Sequence, residues 1–264
     1  MTAMSDLLAT IVAATATAVT HRERARSLET VQSSITDRGA RGEAFRTALS
    51  KTSAPRIIAE CKRRSPSRGI LRDQYDPAAH AFAYEHYGAA AISVLTEPTF
   101  FDGAPEHLAA VRRCVTIPVL RKDFIVTAYQ VHESAALGAD AILLIVGALS
   151  DADLRELLTA AASLRLAALV EVHTREELQR ALAAGARIVG VNSRNLRTLS
   201  VEPGVFEDLA PAIPREAIAV AESGIRTGDD LRRFGALGFS AFLVGERLIA
   251  APDPGLALER LRAS

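Results

Sequence analysis

The apolar positions of this chain fall into short runs separated by longer segments of helical period. Four of these runs share one pattern: Gly88-Ala89-Ala90-Ala91-Ile92, Gly138-Ala139-Asp140-Ala141-Ile142, Gly185-Ala186-Arg187-Ile188-Val189 and Gly238-Phe239-Ser240-Ala241-Phe242. In each, a glycine follows a helix-like stretch and precedes a strand-like one, and glycine suits the left-handed position that ends a helix. Successive glycines lie 50, 47 and 53 positions apart, which predicts about two strand–helix units per interval. Four further strands are predicted between them, over 56–62, 118–122, 168–172 and 217–222. Pro55, Pro118 and Pro214 precede or open three of these, as where a loop delivers the chain into a strand. The runs are apolar nearly throughout, the mark of parallel strands buried on both faces.

Helices are predicted in between. Thr174-Arg175-Glu176-Glu177 has the form of a capping box, followed by Leu178, Ala181 and Leu182 at helical spacing. Ser150 with Asp153, and Thr227 with Asp230, start two others in a similar way. Strands and helices alternating eight times predict an α/β fold, a single (β/α)8 TIM barrel over residues 51–264. An open doubly wound sheet is the rival. It is weakened because no GxGxxG follows the first strand and no P-loop is present. Residues 1–50 lie outside the period and are expected to form an N-terminal helical extension, with a polar loop over 36–42.

Composition narrows the chemistry. The formal net charge is zero, so neither nucleic acid nor an anionic membrane is an expected partner, and an anionic substrate must be met by local positive groups. The two cysteines, Cys61 and Cys114, have no metal-ligand spacing, which fits a reducing, cytoplasmic compartment. The apolar stretch over 7–19 follows Met-Thr-Ala-Met-Ser-Asp, which lacks the basic residue of a signal sequence. No run approaches the roughly 20 apolar residues of a membrane helix.

Polar residues gather at the predicted strand ends, where barrels of this class place their chemistry. By alternation Glu60 and Lys62 share the inward face with Ile58, while Cys61 points outward into packing. Lys122 is expected inward with Leu120 and Phe124, Glu171 inward on the fifth strand, and Gly190, Asn192 and Arg194 together on the sixth. Glu222 ends the seventh and Glu246 follows the eighth. One lysine or glutamate after a strand is ordinarily a solvated loop residue. Two of each converging on one mouth point instead to groups tuned for acid–base work. Ser223-Gly224 and Gly245-Glu246 lead toward helix N-termini, where backbone N–H groups and the helix dipole favour an anion, and Ser65 lies at the first strand's mouth.

These residues resemble the indole-3-glycerol-phosphate synthase family. The segment Ala59-Glu60-Cys61-Lys62-Arg63-Arg64-Ser65-Pro66-Ser67-Arg68-Gly69 is similar to that family's AExKxxSPSxG. Leu95-Thr96-Glu97, Leu120-Arg121-Lys122-Asp123-Phe124-Ile125, Val170-Glu171-Val172-His173, Gly190-Val191-Asn192-Ser193-Arg194-Asn195-Leu196 and Ala221-Glu222-Ser223-Gly224-Ile225 follow in order. The match runs over about residues 45 to 250. The N-terminal segment departs from it, with Ala13-Ala14-Thr15-Ala16-Thr17-Ala18 where the family has a basic helix. Glu246-Arg247 also stands where a serine is common.

The resemblance implies decarboxylating ring closure and dehydration of 1-(2-carboxyphenylamino)-1-deoxyribulose 5-phosphate, in tryptophan biosynthesis, by a carboxy-lyase without cofactor or metal. It implies Lys122 as general acid, Glu171 as its acid–base partner, and Lys62 either holding the anthranilate carboxylate or donating a proton in the dehydration. Glu60 and Asn192 would orient these groups, with Ser223 beside them. Ser65, Ser223, Gly224, Gly245 and Glu246 would hold the phosphate, mostly through backbone N–H groups. Phe101, Phe124 and Leu143 would wall the aromatic ring, with Arg194 and Glu222 completing the substrate contacts. The expected partner is this phosphosugar–anthranilate molecule, the protein being a monomer or weak homo-oligomer. The resemblance also suggests that the N-terminal segment lies over the mouth; plugging the opposite end is the alternative. A phosphoribosylanthranilate isomerase would need an inward cysteine paired with an aspartate, and Cys61 is on the wrong face. A degenerate barrel acting only as a binding partner would have lost Lys122 or Glu171, and both are present.

Overall fold

The computed structural model describes residues 7–36, 39, 41–50, 55–195 and 198–264. Eight parallel strands close into a barrel in chain order: β1 (Arg56–Cys61), β2 (Ala91–Leu95), β3 (Val119–Lys122), β4 (Ala141–Ile145), β5 (Ala167–Val172), β6 (Ile188–Asn192), β7 (Ile218–Glu222) and β8 (Ala241–Val244), with β8 pairing β1. Helices fill the intervals, so the (β/α)8 reading of the pattern holds. The four strands predicted with bounds match to within a residue at either end, and the four glycine-led runs each open the strand that follows them. Alternation explains why they are apolar throughout. Ile58, Leu120, Leu143, Leu169, Val220 and Leu243 fill the barrel. Ile57, Cys61, Val119, Ile142, Val170 and Val244 face the helices.

The four glycines that announce strands all adopt the left-handed conformation, with φ of +85° (Gly88), +89° (Gly138), +90° (Gly185) and +103° (Gly238). Helix starts follow side-chain caps. Thr227 and Asp230 form a reciprocal capping box, and Ser150 accepts from Asp153 N–H. The box expected at Thr174 is only half made. Thr174 accepts from Glu177 N–H, but the Glu177 carboxylate takes the N–H of His173, one residue earlier than a box requires. A box not foreseen joins Thr127 to Gln130 on the helix after β3.

The N-terminal segment forms α1 (Leu7–Ala25), α2 (Leu28–Ser33) and α3 (Arg41–Ser50). Of the loop expected over 36–42, Arg41 and Gly42 instead begin α3, and residues 37, 38 and 40 lie outside the described ones. The segment serves both ends of the barrel. Leu8 and Ile11 of α1 join the interior cluster that includes Phe124 and Ile145, at the C-terminal ends of the strands. Phe45 and Leu49 of α3 are fully buried in the same cluster, against the opposite end. There Arg56 Nε donates to Ala48 O (2.9 Å) and Gly42 N–H to Arg165 O (2.9 Å). A Cβ on Gly42 would stand 2.5 Å from Ala167 N, so a side chain would push α3 off the start of β5. Burying side chains such as Phe45 and Leu49 is worth about 1.5–3 kcal/mol each, enough to hold a stopper of this size. Among the described residues, no helix is long and apolar enough to cross a membrane.

Candidate active site

Register decides what meets at the mouth. Lys122 lies opposite Leu95, Glu171 opposite both Ile145 and Gly190, and Asn192 opposite Glu222, which also faces Leu243. Their side chains converge on a cavity of about 850 Å³ at the C-terminal ends of the strands. All of the site residues implied by the family resemblance line it, from Glu60, Lys62 and Ser65 on β1 and its loop to Gly245 and Glu246 beyond β8.

Two lysines anchor the polar wall. Lys62 Nζ lies 2.6 Å from Glu60 Oε2, and Lys122 Nζ lies 3.3 Å from Glu171 Oε2 and 3.7 Å from Glu222 Oε2. Asn192 Nδ2 donates to the other oxygen of Glu171 (3.0 Å), while its own Oδ1 accepts from Arg194 N–H (2.9 Å). That chain fixes which way Glu171 faces. Burial disfavours the Lys122 ammonium, but the charges of Glu171, Glu222 and Glu60 outweigh it and raise the lysine above its usual range. Glu222 moves up as well: burial comes first, then the charge of Glu171, with Lys122 opposing. Neither Glu222 oxygen has a hydrogen-bond partner among the described residues. The site therefore holds its lysine in the charged form while its most buried carboxyl, Glu222, is pushed toward the protonated form.

Two glycines make room for these carboxylates. A Cβ on Gly245 would stand 2.0 Å from Glu60 Oε2, and one on Gly190 would stand 2.1 Å from Glu222 Oε1. Sequence reasoning assigned Gly245 to close backbone approach by an anion. The structure adds a second reason, the space taken by Glu60.

The cavity is apolar on one side and lined by tight backbone turns on the other. Phe101 and Phe124, with centroids 6.1 Å apart, form the apolar wall with Leu143. Phe101 is held by Glu97, whose carboxylate accepts the N–H groups of Thr99, Phe100 and Phe101. On the other side Ser223 and Gly224 are consecutive left-handed residues (φ +66° and +73°), and Gly245 caps the four-residue helix Glu246–Ile249. Ser65 is buried beside them, in a two-residue strand (Arg64–Ser65) paired with Gly69–Ile70. The Glu246 carboxylate is taken up by Arg68 (2.5 Å) and Arg194 (3.7 Å), which leaves the backbone N–H groups of this turn facing the cavity. Arg68 is a cavity residue that the sequence left unassigned. The signal was Gly69, whose φ of +68° turns the hairpin so that Arg68 reaches Glu246.

Cys61 is buried on the helix side of β1, its Sγ 3.7 Å from Pro77 O. Burial, and then the charge of Glu60, raise its pKa, so it is a packed thiol outside the cavity.

Known proteins agree with this geometry. A Rhodococcus jostii indole-3-glycerol phosphate synthase is 53% identical over 205 residues, 78% of this chain and 76% of its own. That of Parafrankia is 52% identical over 231 residues, 87% of this chain and 86% of its own. Among solved structures, a thiamine phosphate pyrophosphorylase from Pyrococcus furiosus superposes with a TM-score of 0.59 at 19% identity, covering 78% of this chain and 93% of that one. At that identity it shows a shared barrel and no more. The match to the family described as indole-3-glycerol phosphate synthase runs over residues 8–261, from the first turn of α1 to the last turn of the final helix, and the chain belongs to that family.

Proposed function

We propose that this protein is a cytoplasmic carboxy-lyase that converts 1-(2-carboxyphenylamino)-1-deoxyribulose 5-phosphate to indole-3-glycerol phosphate, carbon dioxide and water, in tryptophan biosynthesis. The observation that carries this reading is Lys122, a charged lysine between Glu171 and Glu222, set between an aromatic wall and an anion-binding turn. A substrate with an aryl group at one end and a phosphate at the other spans such a cavity in one orientation.

In this reading the phosphate docks on backbone N–H groups at Ser223, Gly224 and Gly245, beside Ser65, and the ring lies against Phe101, Phe124 and Leu143. Lys122 protonates the ribulose carbonyl oxygen as the ring carbon bearing the carboxylate attacks the carbonyl carbon. The C–C bond formed there takes up the electron pair of the ring, and loss of carbon dioxide returns a pair that restores aromaticity. No redox partner is called for. Dehydration then removes the new hydroxyl as water. Glu171, aimed by Asn192, accepts the proton lost from the ring carbon next to the departing hydroxyl, and the Lys62–Glu60 pair protonates that hydroxyl as it leaves. Positioning and electrostatic clamps supply the acceleration. Arg194 and Glu222 complete the contacts to the sugar chain.

The test is direct. Purified protein given the carboxyphenylamino-deoxyribulose phosphate should develop indole fluorescence, and Lys122→Ala should lose roughly 10²–10⁴-fold of turnover, the usual weight of a positioned proton transfer. A variant that keeps near-normal turnover removes Lys122 from this role.

A further inference from the structure

Lys122 is flanked by Arg121 and Asp123, and both are tied into a buried network on the outer side of the barrel. Arg121 is fully buried, a costly place for a guanidinium unless every donor is used. Here they are used. Nε donates to Thr96 Oγ1 (3.0 Å), NH1 to Ser134 Oγ (3.1 Å) and Gln130 O (3.3 Å), and NH2 lies 2.9 Å from Asp123 Oδ2 and 2.8 Å from Glu133 Oε2. Thr96 in turn donates through Oγ1 to Asp123 Oδ2 (2.6 Å) and through its N–H to Lys122 O (3.1 Å), and Phe124 N–H donates to Asp123 Oδ1 (2.8 Å). The end of β3, with Lys122 on it, is thus clamped from both sides. Thr96 precedes Glu97, which holds Phe101, so one knot sets both the lysine and the aromatic wall.

Glu133 belongs to two structures at once. It lies on the helix Ala128–Leu137, and its carboxylate also receives Arg22 of α1, with Nε to Oε1 at 2.9 Å and NH2 to Oε2 at 3.3 Å. Tyr129, on the same helix, donates its hydroxyl to Arg26 O (3.0 Å). Two arginines and two carboxylates balance within the knot, so no member can leave without unbalancing the rest. α1 is a continuous helix, and the roughly 20 Å from Arg22 back to Leu8 and Ile11 is a stiff lever. Pinning Arg22 therefore places Leu8 and Ile11 against the mouth.

We propose that Glu133 and Arg121 are positioning residues for this reaction: through them, docking of α1 on the barrel and the placement of Lys122 are one coupled event. This rests on the reading of Lys122 given above.

The experiment uses the full chain with Arg22→Gln, Glu133→Gln and the double variant, each read by kcat, KM and amide hydrogen exchange. Arg22→Gln should raise KM with little change in kcat and speed exchange across α1. Glu133→Gln should do the same, and should also lower kcat and speed exchange at residues 121–125. The kinetic changes should be about 2- to 30-fold, the range of such couplings. In the double variant the loss of Arg22 should add almost nothing to the loss of Glu133. A role limited to stability would lower Tm while the folded protein kept its KM, kcat and local exchange, and that result overturns the proposal. Additive effects of the two substitutions also overturn it. The exchange coupling is measured without substrate, so it stands or falls separately from the Lys122→Ala test of the reaction itself.

Discussion

Gly190→Ala adds one methyl group in the layer of the barrel that holds Glu171 and Glu222. Gly190 lies opposite Glu171 in the β5–β6 ladder, and its new Cβ would stand 2.1 Å from Glu222 Oε1 and 3.2 Å from both Glu222 Cδ and Leu169 Cδ1. Ordinary contact begins at about 3.4 Å, so the carboxylate must retreat by more than about 1 Å. On an exposed glutamate that would cost little. Glu222 is only 1% exposed, with Lys122 3.7 Å away, so it has little freedom to move. Overpacking of this kind costs about 1–3 kcal/mol, and each kcal/mol lowers Tm by about 2–4 °C in a chain of this size. The catalytic cost should be larger, since a misplacement of about 1 Å can remove about 10²-fold of rate. Both numbers come from one sample: initial rates of indole formation at saturating substrate, and a thermal melt. Lowered Tm with kcat within about twofold of the parent would refute the reasoning, because Glu222 would have been moved without consequence.

Other outcomes follow from the same geometry. Glu222 is raised on folding, so the stability it lends is present below the ordinary carboxyl range and is lost as pH climbs toward its raised value. Glu222→Gln removes that loss, and its Tm should gain on the parent as pH increases above the ordinary carboxyl range; parallel melting curves against pH would count against a raised Glu222. Gly224→Val puts a β-branched side chain at φ +73° in the turn proposed to hold the phosphate, so KM and the inhibition constant of inorganic phosphate should both rise, by tenfold or more if a backbone contact of about 1.5 kcal/mol is lost. Unchanged phosphate inhibition would remove this turn from the site. A chain truncated before Arg41 loses α1 and α2 but keeps the Phe45–Leu49 stopper. It should fold and show a raised KM, whereas removal through Ser50 should collapse Tm.

Much of the catalytic face could be read from the chain because strand alternation is a local rule. Once Ile58 is inward, Glu60 and Lys62 are inward and Cys61 is not, whatever the rest of the molecule does. The same holds for Lys122 beside Leu120 and for Glu171 beside Leu169. Gly88, Gly138, Gly185 and Gly238 were legible for a similar reason, since a left-handed helix end has few other solutions. The capping residues were less so. Thr174-x-x-Glu177 satisfies the pattern, yet a rotation about the glutamate side chain suffices to move its bond to His173 N–H.

Tertiary structure decided what depends on closure. Alternation alone places Arg121 outward, where an arginine reads as a solvated charge. Its partners Thr96, Ser134 and Glu133 come from other elements, and only barrel closure and helix packing bring them around it. The division of the N-terminal segment between the two ends of the barrel is likewise not written in its apolar positions, because Leu8 and Phe45 look alike until each has a surface to meet. Gly190 and Gly245 are the clearest case. From the sequence they are turn or strand glycines. In the fold they are the spaces occupied by Glu222 and Glu60, residues contributed by other strands. Period and chirality act between neighbours in sequence, so the chain alone determines which way a side chain points. What it meets is set by strand register summed around a closed ring, and that exists only once the eighth strand has paired with the first.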